Sequence, residues 1–107
     1  NLENRSELYT MSCIIIAEFR CKPGRAKDFI ELCRTNYPGT RNYDGCEYIS
    51  LSVDHDDENT LVMTEQWVSR EHHRIYSEFR ENDGTAEIIA PMLMAKPTFR
   101  YLDLTDA

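Results

Sequence analysis

The chain has 107 residues, which is enough for one small domain and too few for two separate hydrophobic cores. It contains 12 Lys and Arg residues against 19 Asp and Glu residues, so its formal net charge is −7. A chain this acidic repels phosphate groups, which argues against general binding to nucleic acid or to anionic membrane surfaces. Hydrophobic residues make up 41% of the sequence, and this share favours a folded domain over a disordered chain.

The four cysteines have none of the spacings that are typical of zinc sites or disulfide frameworks. We expect reduced thiols that pack as small hydrophobic side chains at Cys13, Cys21, Cys33 and Cys46. The sequence has no apolar run of the roughly 18 residues that a membrane helix needs, and its polar N-terminal segment does not resemble a secretion signal. These features predict a cytoplasmic protein with no membrane partner.

Residues 1–11 show no hydrophobic periodicity, and Met11 is a possible translation start. We therefore predict an N-terminal tail that is disordered or not native, followed by a single domain over residues 12–107.

The domain begins with a predicted strand over residues 12–21, which is rich in β-branched and aromatic residues and is ended by Lys22-Pro23-Gly24. Every odd position of this strand is apolar, so we expect one face to be fully buried. Ile14 and Ile16 lie on the opposite face, which therefore also needs a partial cover.

Apolar residues recur at helical spacing in the next segment and predict a first helix over about residues 24–36, ended by Pro38-Gly39. Two further strands are predicted over residues 46–53 and 60–68. The acidic loop 54–59 between them lacks the glycine and the distal glutamate of a calcium-binding EF-hand, so we interpret it as a solvated hairpin tip.

Ser69 is a favourable N-cap for a second helix. After it, residues at i, i+3, i+4 and i+7 predict one inward stripe, formed by His72, Ile75, Tyr76 and Phe79. On this spacing His72 points inward and His73 lies on the flank of the stripe.

A short helical stretch over residues 85–95 and an alternating strand over residues 99–104 complete the chain. The element order is β-α-β-β-α-β, which predicts an α+β fold: the ferredoxin-like split βαβ arrangement, with an antiparallel sheet and helices on one face. The other sheet face would be open, and its apolar side chains predict a homodimer that packs sheet on sheet.

Four segments carry a resemblance to a known family: AEFRCKPG at residues 17–24, DGC at 44–46, TEQWVSRE at 64–71 and APML at 90–93. In their order and separation they resemble the antibiotic biosynthesis monooxygenase family of dimeric α+β barrels. The resemblance implies that dioxygen oxidises an electron-rich aromatic or quinol-type molecule without flavin, haem or metal, in a pocket between sheet and helices. Haem-degrading relatives on this fold carry an Asn on strand one and a later iron-binding His, and the matching segments here have neither.

Ground-state dioxygen is a triplet and reacts slowly with closed-shell molecules, so a cofactor-free enzyme needs a substrate that donates an electron once it is deprotonated. The protein must supply an apolar slot, a base near neutral pH and shelter from water. We therefore predict a cofactor-independent monooxygenase that acts on a hydroquinone or polycyclic phenol. The alternative is a non-catalytic dimeric barrel that binds a small apolar metabolite for sensing, protection or carriage.

The predicted catalytic residues are Trp67, His72 and His73. Trp67 resembles the tryptophan with which the family lines its pocket, although a purely structural role in the core is equally open. The two histidines follow it in the first turn of the second helix, and imidazole ordinarily titrates near neutral pH, at a pKa of about 6.5. His73 matches more closely the family position where a polar group contacts the substrate, and either histidine could instead be a surface or core residue.

The predicted substrate-binding residues are Phe19, Glu65, Tyr76 and Phe79. Glu65 lies two residues before the tryptophan, so both side chains share a strand face. It could orient a substrate hydroxyl, hold a base in its charged form, or serve as a structural ion-pair partner. The three aromatic residues would line the slot or form plain core, and no metal-ligand set is predicted.

Overall fold

The computed structural model of the chain describes residues 9–107. The helices and strands in chain order are β1 (Tyr9–Arg20), α1 (Ala26–Arg41), β2 (Cys46–Val53), β3 (Thr60–Trp67), α2 (Arg70–Asn82), α3 (Thr85–Ile89), a 3-10 turn (Ala90–Met92) and β4 (Thr98–Thr105). The strands form one sheet in the order β2-β3-β1-β4, and every neighbouring pair is antiparallel. The predicted α+β, ferredoxin-like fold is confirmed.

The alternation of β1 places its two faces in different surroundings. The odd-numbered side chains point towards the helices and are buried, namely Cys13, Ile15, Ala17 and Phe19. Ile14 and Ile16 on the other face are half-buried, while Glu18 and Arg20 are exposed. The predicted contrast between a fully buried face and a partly apolar one is therefore confirmed.

The first strand starts earlier than the sequence indicates. It begins at Tyr9, whose backbone pairs with Thr105 of β4, so residues 9–11 belong to β1 and not to a tail. Backbone pairing does not require hydrophobic alternation, and for this reason the sequence pattern gives no sign of it. The rest of the predicted tail, residues 1–8, lies outside the described residues.

Helix α1 continues through Pro38 and Gly39 and ends at Arg41, five residues beyond the predicted end. Proline removes one backbone donor, but here it does so on an exposed part of the helix surface. Tertiary contacts hold the last turn, because Thr40 is fully buried and its hydroxyl donates to the carbonyl of Asn36 at 3.3 Å. The packing of this turn therefore outweighs the local preference of Pro38-Gly39 to end the helix.

The second half of the chain closes over the end of β1. The predicted helical stretch over residues 85–95 divides into α3 and the 3-10 turn, which ends at Met92. Backbone hydrogen bonds from Lys22 to Met92 and from Met94 to Arg20, both 2.8 Å, then tie this segment to the strand. An uninterrupted helix could not make these bonds, so the helix ends three residues before the predicted limit.

Two hydrophobic clusters lie between the sheet and the helices. One is centred on Phe19, Phe29 and Leu61, and the other on Ile15 and Trp67. The four cysteines are free thiols, of which three are buried. Across residues 9–107 no helix is both long enough and apolar enough to cross a membrane.

Candidate functional site

A cavity of about 610 Å³ lies between the sheet and the helices. Most of its wall is apolar, with side chains that include Phe19, Ile49, Met63, Leu93 and Phe99. Exposed residues of α2 and of the segment before β4 lie at its rim, among them Glu81, Met94 and Lys96. The volume falls in the range of sites that hold small organic ligands, and the apolar wall suits a flat ring.

Two buried ionisable side chains meet on the polar part of this wall. Glu65 on β3 is only 2% exposed and His73 on α2 is 4% exposed, and their nearest atoms, Oε2 and Nε2, are 3.5 Å apart. The Trp67 indole donates from Nε1 to the other carboxylate oxygen of Glu65 at 3.2 Å. A carboxyl group is rarely buried without such partners, so the indole and the imidazole together account for its position.

His73 has a second polar neighbour on its own helix. Its Nε2 atom lies 3.4 Å from the hydroxyl oxygen of Ser77, one turn later, and Ser77 also lines the cavity. The imidazole also contacts the rings of Trp67 and Tyr101 edge to face, with centroids 5.7 and 5.6 Å apart. These contacts fix the ring, so that its Nε2 atom faces Glu65 and Ser77.

Tyr76 provides a second polar point on the cavity wall. Its hydroxyl lies 2.6 Å from the hydroxyl of Thr40 and accepts a hydrogen bond of 2.7 Å from Nε of Arg80. Burial raises the pKa of this phenol, although its hydrogen bonds with Thr40 and Arg80 act in the opposite direction. The group is therefore a neutral phenol near pH 7, held in place by two helices.

The structure brings four of the seven predicted residues together on the cavity wall: Phe19, Glu65, His73 and Tyr76. Trp67 is fully buried and packs behind Glu65 and His73, with its ring 4.8 Å from that of Tyr76. It does not line the cavity, and its indole N–H bonds to Glu65 on the cavity wall.

The inward stripe predicted for α2 is wrong by one position. His73 is buried, whereas His72 lies outside the cavity, with Nδ1 2.6 Å from the Ser69 hydroxyl and Nε2 3.9 Å from Asp44. Ile75 and Phe79 are each 45% exposed. Their apolar character suggests an inward stripe, but the helix is rotated so that His73 meets the buried Glu65, and of the predicted stripe only Tyr76 is buried.

Three polar residues of the cavity wall escape the sequence analysis because they do not contribute to the hydrophobic pattern. Thr40, Ser77 and Arg80 all line the cavity and contact Tyr76 or His73. The one available signal is spacing, since Ser77 and Arg80 follow His73 and Tyr76 at i+4. Among residues 9–107 no group of three or more His, Cys, Asp or Glu side chains could hold a metal ion.

Comparisons with known proteins agree with this fold. The chain resembles protein SO0527 from Shewanella oneidensis, with a TM-score of 0.78 and 17% identity over 94% of this chain and 97% of the other. It resembles Rv0793 from Mycobacterium tuberculosis, with a TM-score of 0.75 and 22% identity over 90% and 97% of the two chains. A structure named antibiotic biosynthesis monooxygenase gives a TM-score of 0.78 and 22% identity over 87% of this chain and 98% of that one.

At these identities the structural neighbours establish the fold alone. No curated protein matches the chain. The family model described as antibiotic biosynthesis monooxygenase matches residues 12–81, which is well over half of the sequence and includes both Glu65 and His73. The chain therefore belongs to the antibiotic biosynthesis monooxygenase family.

Proposed function

We propose that the protein is a cofactor-independent monooxygenase, which oxidises a hydroquinone or polycyclic phenol with dioxygen in the cavity between sheet and helices. The observation that carries this proposal is the buried pair of Glu65 and His73 on the wall of an otherwise apolar cavity. The family and the monooxygenase name of a structural neighbour support the same reaction class.

His73 is the proposed base. It takes the proton of a phenolic hydroxyl, and the carboxylate of Glu65 beside it stabilises the imidazolium that forms. Trp67 has a positioning role, because its N–H group occupies one oxygen of Glu65 and leaves the other to face the imidazole. The apolar wall, with Phe19 at one side, holds the ring and excludes water.

The resulting phenolate is the electron donor that dioxygen requires. One oxygen atom is attached to a carbon of the ring, and the other leaves as water. The two hydrogen atoms of this water come from the substrate. The substrate therefore supplies all the electrons, and no external reductant is needed. Burial also raises the pKa of the Cys33 thiol, which keeps this group on the cavity wall in its less nucleophilic form towards a quinone product.

The test is oxygen uptake by the purified protein with a panel of hydroquinones and polycyclic phenols, corrected for autoxidation. We expect at least one substrate to give excess uptake, and His73→Ala to abolish it. The matched control is His72→Ala, the neighbouring imidazole outside the cavity, which should retain at least half of the excess.

Excess uptake that survives both His73→Ala and Glu65→Gln would overturn this assignment of the base. A protein that binds aromatic ligands but consumes no oxygen with any of them would instead be a non-catalytic binding barrel. Binding of the same panel to each variant, measured by quenching of the Trp67 fluorescence, distinguishes these results from a failure to fold.

A further inference from the structure

A second cavity, of about 310 Å³, lies between α1 and β2 near the edge of the sheet. Its base is apolar and includes Ile30, Leu51 and Leu61, and its rim carries Arg34 and Arg41. We call this cavity the edge groove. It has no part in the proposed oxygenation, because neither Glu65 nor His73 lines it.

The two arginines make the edge groove basic in a protein whose net charge is −7. Arg34 bonds to Glu31, an exposed neighbour on the same helix. Arg41 donates to the carbonyl oxygen of Ile49 at 3.2 Å and lies 5.8 Å from the centre of the Tyr37 ring, and among the described residues it has no carboxylate partner. A guanidinium group in this situation retains free donors that can bind an anion.

Tyr37 forms part of the wall between the edge groove and the main cavity, together with Cys33. Its hydroxyl oxygen is buried and makes no well-directed hydrogen bond within residues 9–107, and the Cys33 thiol beside it is a weak partner. A buried phenol without a good partner is unfavourable, so this wall is not at a hydrogen-bonding optimum. The Tyr37 side chain also lines the edge groove.

We infer that the edge groove is a second binding site, for an amphipathic organic anion: an aromatic or aliphatic body carrying one carboxylate or sulfonate. The body would lie on the apolar base between Ile30 and Leu51, and the anionic group would bind Arg41 and Arg34. The apolar base favours an organic body over an inorganic anion, and the arginines favour an anion over its neutral analogue.

A pair of fluorescent probes tests this inference directly. 8-Anilino-1-naphthalenesulfonate has the required body and charge, while N-phenyl-1-naphthylamine has the same ring system without the sulfonate. We expect the wild-type protein to bind the sulfonate with a dissociation constant that increases with salt concentration, and Arg41→Gln or Arg34→Gln to weaken it about threefold to tenfold. Binding of the neutral probe should change by less than about twofold.

The control for charge is Arg25→Gln, which removes an arginine outside both cavities that pairs with Asp28. This variant should leave the affinity for both probes unchanged. The control for location is Val53→Trp, which should fill the edge groove at an exposed strand end and displace the sulfonate.

Unchanged sulfonate affinity in both Arg34→Gln and Arg41→Gln would overturn the inference, as would equal losses for both probes. Arg34→Gln keeps the test valid if Arg41→Gln fails to fold, because the Arg34 side chain bonds only to exposed Glu31 within the described residues. Every readout is binding, so the result does not depend on oxygen uptake.

Discussion

Gly45 and His72 are packed against each other where the chain enters β2. Gly45 has a positive φ of 88°, and a Cβ atom built on it would lie 2.5 to 2.6 Å from Cβ, Cγ and Cδ2 of His72. Its carbonyl also accepts a hydrogen bond of 2.8 Å from the backbone N–H of Val68. Both the conformation and the contact therefore require glycine at this position.

We predict that Gly45→Ala lowers the free energy of unfolding by about 3 kcal/mol, through left-handed strain and overpacking together. Gly24→Ala isolates the strain, because Gly24 has a φ of 80° and nothing within 4 Å of the added Cβ. Gly24→Ala should lower the free energy of unfolding by about 1 kcal/mol. Urea unfolding followed by circular dichroism measures both values.

A double substitution separates the two contributions. The clash includes Cβ of His72, so His72→Ala would not relieve it and His72→Gly is the appropriate partner. In the His72→Gly background, Gly45→Ala should lower the free energy of unfolding by no more than Gly24→Ala lowers it in the wild type. An unchanged cost in that background would show that His72 does not set the requirement.

At the same scale, the sequence predicts which residue types form the site better than it predicts their orientation. Strand alternation predicts the buried face on which Phe19 and Glu65 lie, because its period of two leaves only two possible faces. His73 was placed on the flank because a helix allows many rotations, and the apolar Ile75 and Phe79 outweighed the histidine in the pattern. The hydrogen bond from Trp67 to Glu65 depends on three-dimensional packing that periodicity does not contain.

At the scale of the elements, Arg80 joins the two long helices. From α2 it donates to the hydroxyl of Tyr76, and its NH2 atom lies 3.2 Å from both the carbonyl oxygen of Asn36 and the hydroxyl oxygen of Thr40 on α1. Arg74, on the exposed side of the same helix, pairs with Glu71 and Glu78 of its own turns. Arg80 therefore connects α2 to α1, whereas the ion pairs of Arg74 stay within α2.

We predict that Arg80→Gln lowers the free energy of unfolding by about 2 kcal/mol, because it leaves the buried hydroxyls of Tyr76 and Thr40 without a charged donor. The matched control, Arg74→Gln, should have little effect, since its ion pairs are exposed and within one helix. Urea unfolding of the two variants gives the comparison. Equal losses would show that Arg80 does not hold α1 against α2.

The order and type of the elements were predictable from turn residues and hydrophobic periods, and the N-cap at Ser69 is confirmed by its hydrogen bond from the backbone of His72 at 3.2 Å. The ends of α1 and β1 were not. Arg80 binds the last turn of α1 from 40 residues away, and Tyr9 pairs with the C-terminal strand. Contacts between residues this far apart in the sequence produce no local pattern from which the ends of α1 and β1 could be predicted.

At the scale of the whole molecule, the sheet has helices on one face only within residues 9–107. The other face carries half-buried apolar side chains on three strands, namely Ile14, Ile16, Val62 and Leu102. Polar residues such as Thr64 and Gln66 lie between them. Apolar side chains in the centre of an open sheet face are typical of an interface, and a two-fold axis would place the same side chains of a second copy against them.

We therefore predict a homodimer at micromolar concentration, measured by size-exclusion chromatography with light scattering. Ile16→Lys introduces a charge on the central strand of this face and should shift the protein to a monomer while its circular dichroism spectrum is retained, because the side chain points away from the helices. Ile88→Lys is the control, since Ile88 is 54% exposed on α3 and not on the sheet. It should remain a dimer.

A monomeric wild type at micromolar concentration would contradict this prediction, and so would an Ile16→Lys variant that stays dimeric. The result also bears on the cavity. Phe99 and Tyr101 on β4 are 46% and 42% exposed on the helix side of the sheet, where Phe99 lines the cavity and Tyr101 contacts His73. If β4 is held in place by the sheet interface, Ile16→Lys should also weaken binding of aromatic ligands in the cavity, measured by quenching of the Trp67 fluorescence, whereas Ile88→Lys should leave that affinity unchanged.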